Sequence, residues 1–204
     1  YVGTANNSGF VDELWNGTSC ASGCDPTSGT AISLDATGVR SNINMQLGSA
    51  ASISGTVSDG ANPISGVTMQ LYLDTGAFVA STTTDGSGEF RIEGLSADDY
   101  HLVSRNTFGY VDEGAGGSVC QTTCAPTSTL AVTVAANAAV VRDFYLDYGG
   151  GISGTVTNNG STPLPGVTIA AYNSIGTQIA STVTNASGDY LIRGLVAGNV
   201  YLRT

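Results

Sequence analysis

The sequence predicts an all-β fold, a tandem of seven-stranded antiparallel β-sandwiches, on three observations. The chain repeats itself with a period of about one hundred residues. Short runs rich in β-branched and aromatic residues are separated by Gly, Pro, Asn and Asp. Within several runs, apolar and polar residues alternate, as a strand with one buried and one wet face requires.

The repeat is legible in several places. "SGFVDELWNGTSCASGC" at Ser8 to Cys24 returns as "FGYVDEGAGGSVCQTTC" at Phe108 to Cys124. "ISGTV" at Ile53 to Val57 returns at Ile152 to Val156, and "SGEFRIEGL" at Ser87 to Leu95 returns as "SGDYLIRGL" at Ser187 to Leu195. These matches divide the chain into three parts. Residues 1–52 read as the C-terminal half of a preceding unit, 53–151 as a complete unit, and 152–204 as the N-terminal half of a following one. A half-unit alone leaves unpaired strand edges and half a core. The expectation is either a window on a longer tandem chain or half-units that complement one another between molecules.

Seven strands are expected in the complete unit. Ser52–Ser58 opens it, and Pro63-x-x-Gly66-Val67 leads into Val67–Leu73, where Val67, Met69, Leu71 and Leu73 take the inward face. Phe78–Thr84 follows. The turn "DGSGE" at Asp85 to Glu89 then leads into Glu89–Gly94, and after it come Tyr100–Arg105, Thr129–Val134 and the closing Val140–Leu146. In the preceding half, "NINMQL" alternates cleanly, with Ile43, Met45 and Leu47 on one face and Asn42, Asn44 and Gln46 on the other. Several short strands at such spacing point to an antiparallel sandwich.

Composition narrows the role. The chain has 16 Asp and Glu against 6 basic residues, all arginine, for a net charge of −10. Nucleic acid is a poor partner for it, because polyanions are held by clustered Lys and Arg. No basic amphipathic stretch suggests a membrane surface, and no apolar run reaches transmembrane length. No signal-peptide pattern opens the chain, which has no bearing on export if it starts in mid-unit. The Gly, Ser, Thr, Ala and Asn-rich remainder suits an extended extracellular β-protein.

The opening strand, the Pro-x-x-Gly-Val entry, the Asp-Gly-x-Gly-x-Phe turn and the closing "FYL" resemble the carboxypeptidase regulatory-like domains. These are immunoglobulin-like or transthyretin-like sandwiches common in multi-repeat secreted bacterial proteins. The resemblance covers the whole chain once both half-units are counted. It implies the sandwich fold and leaves the role open, since one fold hosts many functions. Collagen-adhesin B-type domains are a similar sandwich, but their internal isopeptide bond needs a lysine, and this chain has none.

Four cysteines are the strongest chemical signal. Cys20 with Cys24, and one period later Cys120 with Cys124, each frame a short loop in an extracellular-looking chain. A local disulfide is the expectation, against crosslinks between neighbouring units, a metal or a free thiol. A zinc site needs four ligands, whereas each loop offers two thiols with no histidine near. The loop from Gly109 to Thr129 is long and weakly patterned, and a clipped turn would stiffen it.

No resident cofactor is expected, with calcium the one candidate cation. Its candidate ligands are Asp85 and Glu89 in "DGSGE", and Asp12 and Asp112 in the repeated "VDE". Against them stand glycine-assisted turns and solvated carboxylates, because the second copy of the turn reads "NASGD" and adjacent strand residues face opposite ways. His101, the sole histidine, aligns with Tyr1 and Tyr201 and so reads as structural. No nucleophile elbow or histidine partner supports a triad, so the segment is read as non-catalytic. Trp15 and Tyr110 suggest a carbohydrate platform, but Trp15 aligns with Ala115. Triplets at Asn6, Asn16, Asn159 and Asn185 fit the N-glycosylation pattern, which chance produces readily in this composition.

The reading is a structural repeat of an extracellular filament, stalk or adhesin shaft at the cell surface, partnered by copies of itself or by neighbouring repeats. Gly-rich junctions at Gly48–Ser52 and Gly149–Gly151 would set the angle between units. The alternative is a non-catalytic accessory module, binding polysaccharide or protein, of a larger secreted enzyme.

Overall fold

The computed structural model describes residues 1–6, 9–20, 24–120, 125–159 and 162–204. A short hairpin, β1 (Glu13–Leu14) and β2 (Thr18–Ser19), precedes the complete unit. That unit comprises β3 (Ala51–Ser58), β4 (Thr68–Leu73), β5 (Phe78–Thr83), β6 (Glu89–Leu95), β7 (Asp98–Arg105), β8 (Asp112–Gly114), β9 (Ser118–Cys120), β10 (Val132–Val134), β11 (Ala139–Val141) and β12 (Phe144–Tyr145). One sheet runs β5-β4-β7-β8-β9, with β10 also on β7. In the other, β6 flanks β3 on one side, and β11 and β12 flank it on the opposite side.

The inner faces of the two sheets meet in one core. From β3 come Ile53 and Val57, from β4 Met69 and Leu71, from β6 Phe90 and Ile92, and from β7 Tyr100 and Leu102. Val132, Val134, Phe144 and Leu146 close it from the C-terminal strands. The expected inward set on the second strand is buried through Leu71, and Leu73 packs at the core's edge. Phe90 and Phe144 meet edge to face with centroids 6.3 Å apart, locking β6 to β12 across β3.

The sandwich differs from the sequence expectation in three respects. First, the closing strand runs parallel to the opening one, pairing Ala139 with Ser52 and Phe144 with Val57. The chain reaches it from β10 in the facing sheet, turning at Asn137 in left-handed backbone, so it crosses between sheets instead of forming a hairpin. It is also broken at Arg142 and Asp143, where Arg142 O lies so near Gly55 that a Cβ there would stand 1.9 Å away. Second, the weakly patterned loop contains the hairpin β8–β9, in register Asp112 with Cys120 and Gly114 with Ser118. Gly116 and Gly117, both at positive φ, make its turn. Third, a 3₁₀ turn at Pro126–Ser128 shortens the sixth expected strand to Val132–Val134.

The following copy supplies β13 (Gly150–Thr155), β14 (Thr157–Asn158), β15 (Thr162–Pro163), β16 (Thr168–Tyr172), β17 (Gln178–Val183), β18 (Asp189–Leu195) and β19 (Tyr201–Arg203). Its registers reproduce the complete unit. Ile152 pairs with Ile192 as Ile53 pairs with Ile92, and both ladders slip at the same place. Thr84 and Thr184 are buried hydroxyls that each bridge two strand entries. Each donates to the carbonyl of Ile64 or Leu164 at 2.7 Å, and each accepts from the N–H of Val67 or Val167. A smaller core of Ile169, Ala171, Ile179, Ile192 and Leu195 results. In the preceding copy, Ile43, Met45 and Leu47 are half-buried while Asn42, Asn44 and Gln46 are exposed. The predicted alternation survives there, with no ladder assigned to it among the described residues.

Candidate functional site

The junction between one unit and the next recurs in its linker hydrogen bonds. Val11 N–H donates to Gly48 O at 2.9 Å and Ala50 N–H to Gly9 O at 2.8 Å. One period later Val111 N–H donates to Asp147 O and Gly149 N–H to Gly109 O, both at 2.8 Å. These pairs make the bridges Phe10 with Ser49 and Tyr110 with Tyr148, so each linker is a rung against a loop of the unit it leaves. The Tyr110 and Tyr148 rings pack at 4.6 Å between centroids. At this second junction only, two glycines then let the following unit approach backbone to backbone. A Cβ on Gly149 would stand 2.5 Å from Gly194, and one on Gly194, at φ +70°, would stand 2.9 Å from Tyr110 O.

The loop that receives the linker is held by an asparagine and aspartate pair. Asn106 Nδ2 donates to Tyr110 O at 3.0 Å and to Asp112 Oδ1 at 2.8 Å, while its own Oδ1 accepts from the N–H groups of Phe108 and Tyr110. Asn6 and Asp12 repeat the clasp, with Nδ2 donating to Phe10 O at 3.2 Å and to Asp12 Oδ1 at 2.7 Å. Asp12 and Asp112 therefore act as acceptors inside the clasp. Burial raises the Asp112 carboxyl above its usual range, opposed by Arg105 and by the Asn106 bonds. Sequence reasoning missed Asn6 and Asn106 in this role. The signal was an asparagine six residues before each aspartate, visible once the repeat is aligned.

The other expected residues fall in separate places. Asp85 Oδ1 accepts from the N–H groups of Ser87 and Glu89, and Asn185 Oδ1 makes the same two bonds to Ser187 and Asp189. A neutral amide thus does what the Asp85 carboxylate does, which is to set a turn. Among the described residues, no group of three or more His, Cys, Asp or Glu side chains is placed to hold a metal ion. Cys20 and Cys24 form a disulfide with Cα atoms 5.3 Å apart. Cys120 is also disulfide-bonded, and Cys124 lies outside the described residues.

His101 is buried, with Nδ1 3.1 Å from Thr129 O and Nε2 2.9 Å from Asp74 Oδ1. Its ring ties β7 to the β4–β5 turn and to the start of the C-terminal strands. Tyr110 is engaged by Tyr148, and no ring contact joins it to Trp15 among the described residues. Among the described residues, no helix is long and apolar enough to cross a membrane.

The model of the carboxypeptidase regulatory-like domain matches residues 52–147 and 151–204. The chain belongs to this family. A chitinase, ChiA, of Flavobacterium johnsoniae is 33% identical over 147 residues, 72% of this chain and 8% of the relative. Colossin-A of Dictyostelium discoideum is 29% identical over 146 residues, 66% of this chain and 1% of the relative. The chain thus spans less than a tenth of either curated relative. Among solved structures, a streptococcal ancillary pilin aligns at 15% identity over 75% of this chain and 52% of its own, with a TM-score of 0.40, a loose superposition. Both matched stretches of the regulatory-like domain begin at a junction linker.

Proposed function

We propose that the chain is a structural repeat of an extracellular filament, stalk or adhesin shaft, with repeat boundaries near residues 53 and 152. The observation that carries this reading is the junction made twice with the same hydrogen bonds. A flexible linker between independent binding modules has no need to repeat its geometry, whereas a shaft that transmits force or sets an axial rise does. Cystine at Cys20 and Cys24 supports an oxidising, extracellular location. The mechanism is mechanical: sandwich cores resist bending, rungs fix the angle between units, and the asparagine clasp with the clipped loop stiffens the receiving face.

Neighbouring repeats, in the same polypeptide or in another copy, complete the sandwich on either side. Leu34 is 72% exposed where its counterpart Val134 is buried, and Leu202 is 41% exposed where Leu102 is fully buried. An incoming strand of the type the complete unit already uses would cover both.

A second reading, a non-catalytic accessory module of a larger secreted enzyme, is favoured by the chitinase relative, of which this chain covers 8%. Electron microscopy of native, untagged material separates the two. Long fibres with a regular axial repeat are expected. Discrete particles or short rods would reject the filament and turn the search to polysaccharide and protein arrays.

A further inference from the structure

One face of the following copy lies open, and the chain itself carries a segment whose sequence fits that face. Beside β10, β11 and β12, the complete unit buries Ile53, Val57, Tyr100 and Leu102 fully. At the equivalent places Ile152, Val156 and Val200 are half-buried and Leu202 is exposed. Residues 31–47 are the counterpart of the stretch that supplies β10 to β12, yet they belong to no ladder, and Leu34 and Val39 are 72% and 95% exposed. A strand sequence without a sheet thus stands in the same chain as a sheet without its closing strands.

We infer that residues 31–47 of one copy close the open face of residues 152–204 in a second copy, in the register that the complete unit uses within itself. The inference rests on the structural-repeat reading and names the partner as another molecule of this chain. Three features of the face suit that occupant. First, β12 runs parallel to β3 with Phe144 beside Val57, so Met45, which aligns with Phe144, falls beside Val156. In the facing sheet β10 sets Val132 beside Tyr100 and Val134 beside Asp98, which places Ile32 beside Val200 and Leu34 beside Gly198. Second, Gly55 admits the carbonyl of Arg142 where no Cβ could stand, whereas the atoms nearest a Cβ on its counterpart Gly154 belong to the Tyr190 side chain. A glycine there keeps room for an incoming main chain. Third, Thr56 donates to Asp143 Oδ1 from its N–H at 2.8 Å and its hydroxyl at 3.0 Å, while the Thr155 hydroxyl turns to Asp189 instead. Asn44, which aligns with Asp143, brings an amide oxygen to the Thr155 N–H. The segment carries one Asp and one Arg, so it adds no net charge to the approach of two acidic chains. Because each copy holds both donor and face, the contact joins unlike surfaces and propagates head to tail.

Sedimentation velocity on the full chain tests the contact. Species that grow with concentration are expected, and an excess of a synthetic peptide of residues 30–47 should cap the face and return the chain to monomer. Gly154→Ala, where the folded chain meets only a side chain that can turn away, should weaken association at least tenfold by blocking the incoming main chain. Met45→Asp, in a segment that no ladder holds, should do the same from the donor side, and neither variant should move the melting of the complete unit. A chain that stays monomeric up to about 0.5 mM, or association that survives both variants, would overturn the contact. Native material that forms fibres from a chain monomeric in this test would keep the structural-repeat reading, reject the contact, and assign the closing strands to a further repeat of the same polypeptide.

Discussion

The complete unit and the copy that follows it carry nearly the same strands in the same registers, yet they bury different amounts of them. Ile53 and Val57 are fully buried in β3, whereas Ile152 and Val156 at the equivalent places are only half-buried. Leu102 is 0% exposed and Leu202 41%. Met69, Leu71 and Ile92, however, match Ile169, Ala171 and Ile192 closely in burial. The difference falls on the residues that β10, β11 and β12 cover in the complete unit. Local sequence therefore sets the strands and their pairing, while the core is closed by strands that arrive some thirty to ninety residues later.

The largest expected effect that would sharpen this comparison is at the paired leucines. Leu102→Ala should destabilise the complete unit by about 3–5 kcal/mol in urea unfolding, as cavity formation in a packed core does, and Leu202→Ala by under about 1 kcal/mol. Equal losses would mean that the following copy is already closed. Next come the paired glycines. Gly55→Ala meets the main chain of Arg142 and should cost about 3 kcal/mol by expelling the closing strand. Gly154→Ala meets only the Tyr190 side chain, which can turn away, and should cost about 1 kcal/mol or less.

The smallest effect concerns pH. Burial, and secondarily Asp147, raise the Glu113 carboxyl above its usual range. A raised folded-state value means that the folded form holds its proton more tightly than the unfolded one. The stabilisation is present below the unfolded value and is lost as pH rises through the folded one. Glu113→Gln should therefore be more stable than the parent at neutral pH and flatten that stretch of the stability profile. A variant no more stable than the parent there would show that the carboxylate carries no burial penalty.

Much of the fold was legible because the repeat, the turn residues and the period-two alternation agree with one another. "VTMQLYL" and "SGEFRIEGL" became β4 and β6 within a residue or two of expectation. The parallel closing strand was not legible, since strand direction depends on which sheet the chain has just left, and no local pattern records that. The hairpin β8–β9 was hidden because its strands are three residues each and carry Asp, Glu, Gly and Ser, outside the usual strand vocabulary. At the junction, glycine-rich linkers were anticipated at both places. The asparagine clasp was not, because its bonds span only four to six residues of a loop without strand pattern, and its meaning appears only when the two copies are aligned.

The most direct test is hydrogen exchange on native, assembled material, comparing amides of β13 with those of β3. If neighbouring repeats complete each sandwich, amides across Gly150–Thr155 will be protected as strongly as those across Ala51–Ser58. Fast exchange along β13 in material where β3 is fully protected would contradict the account.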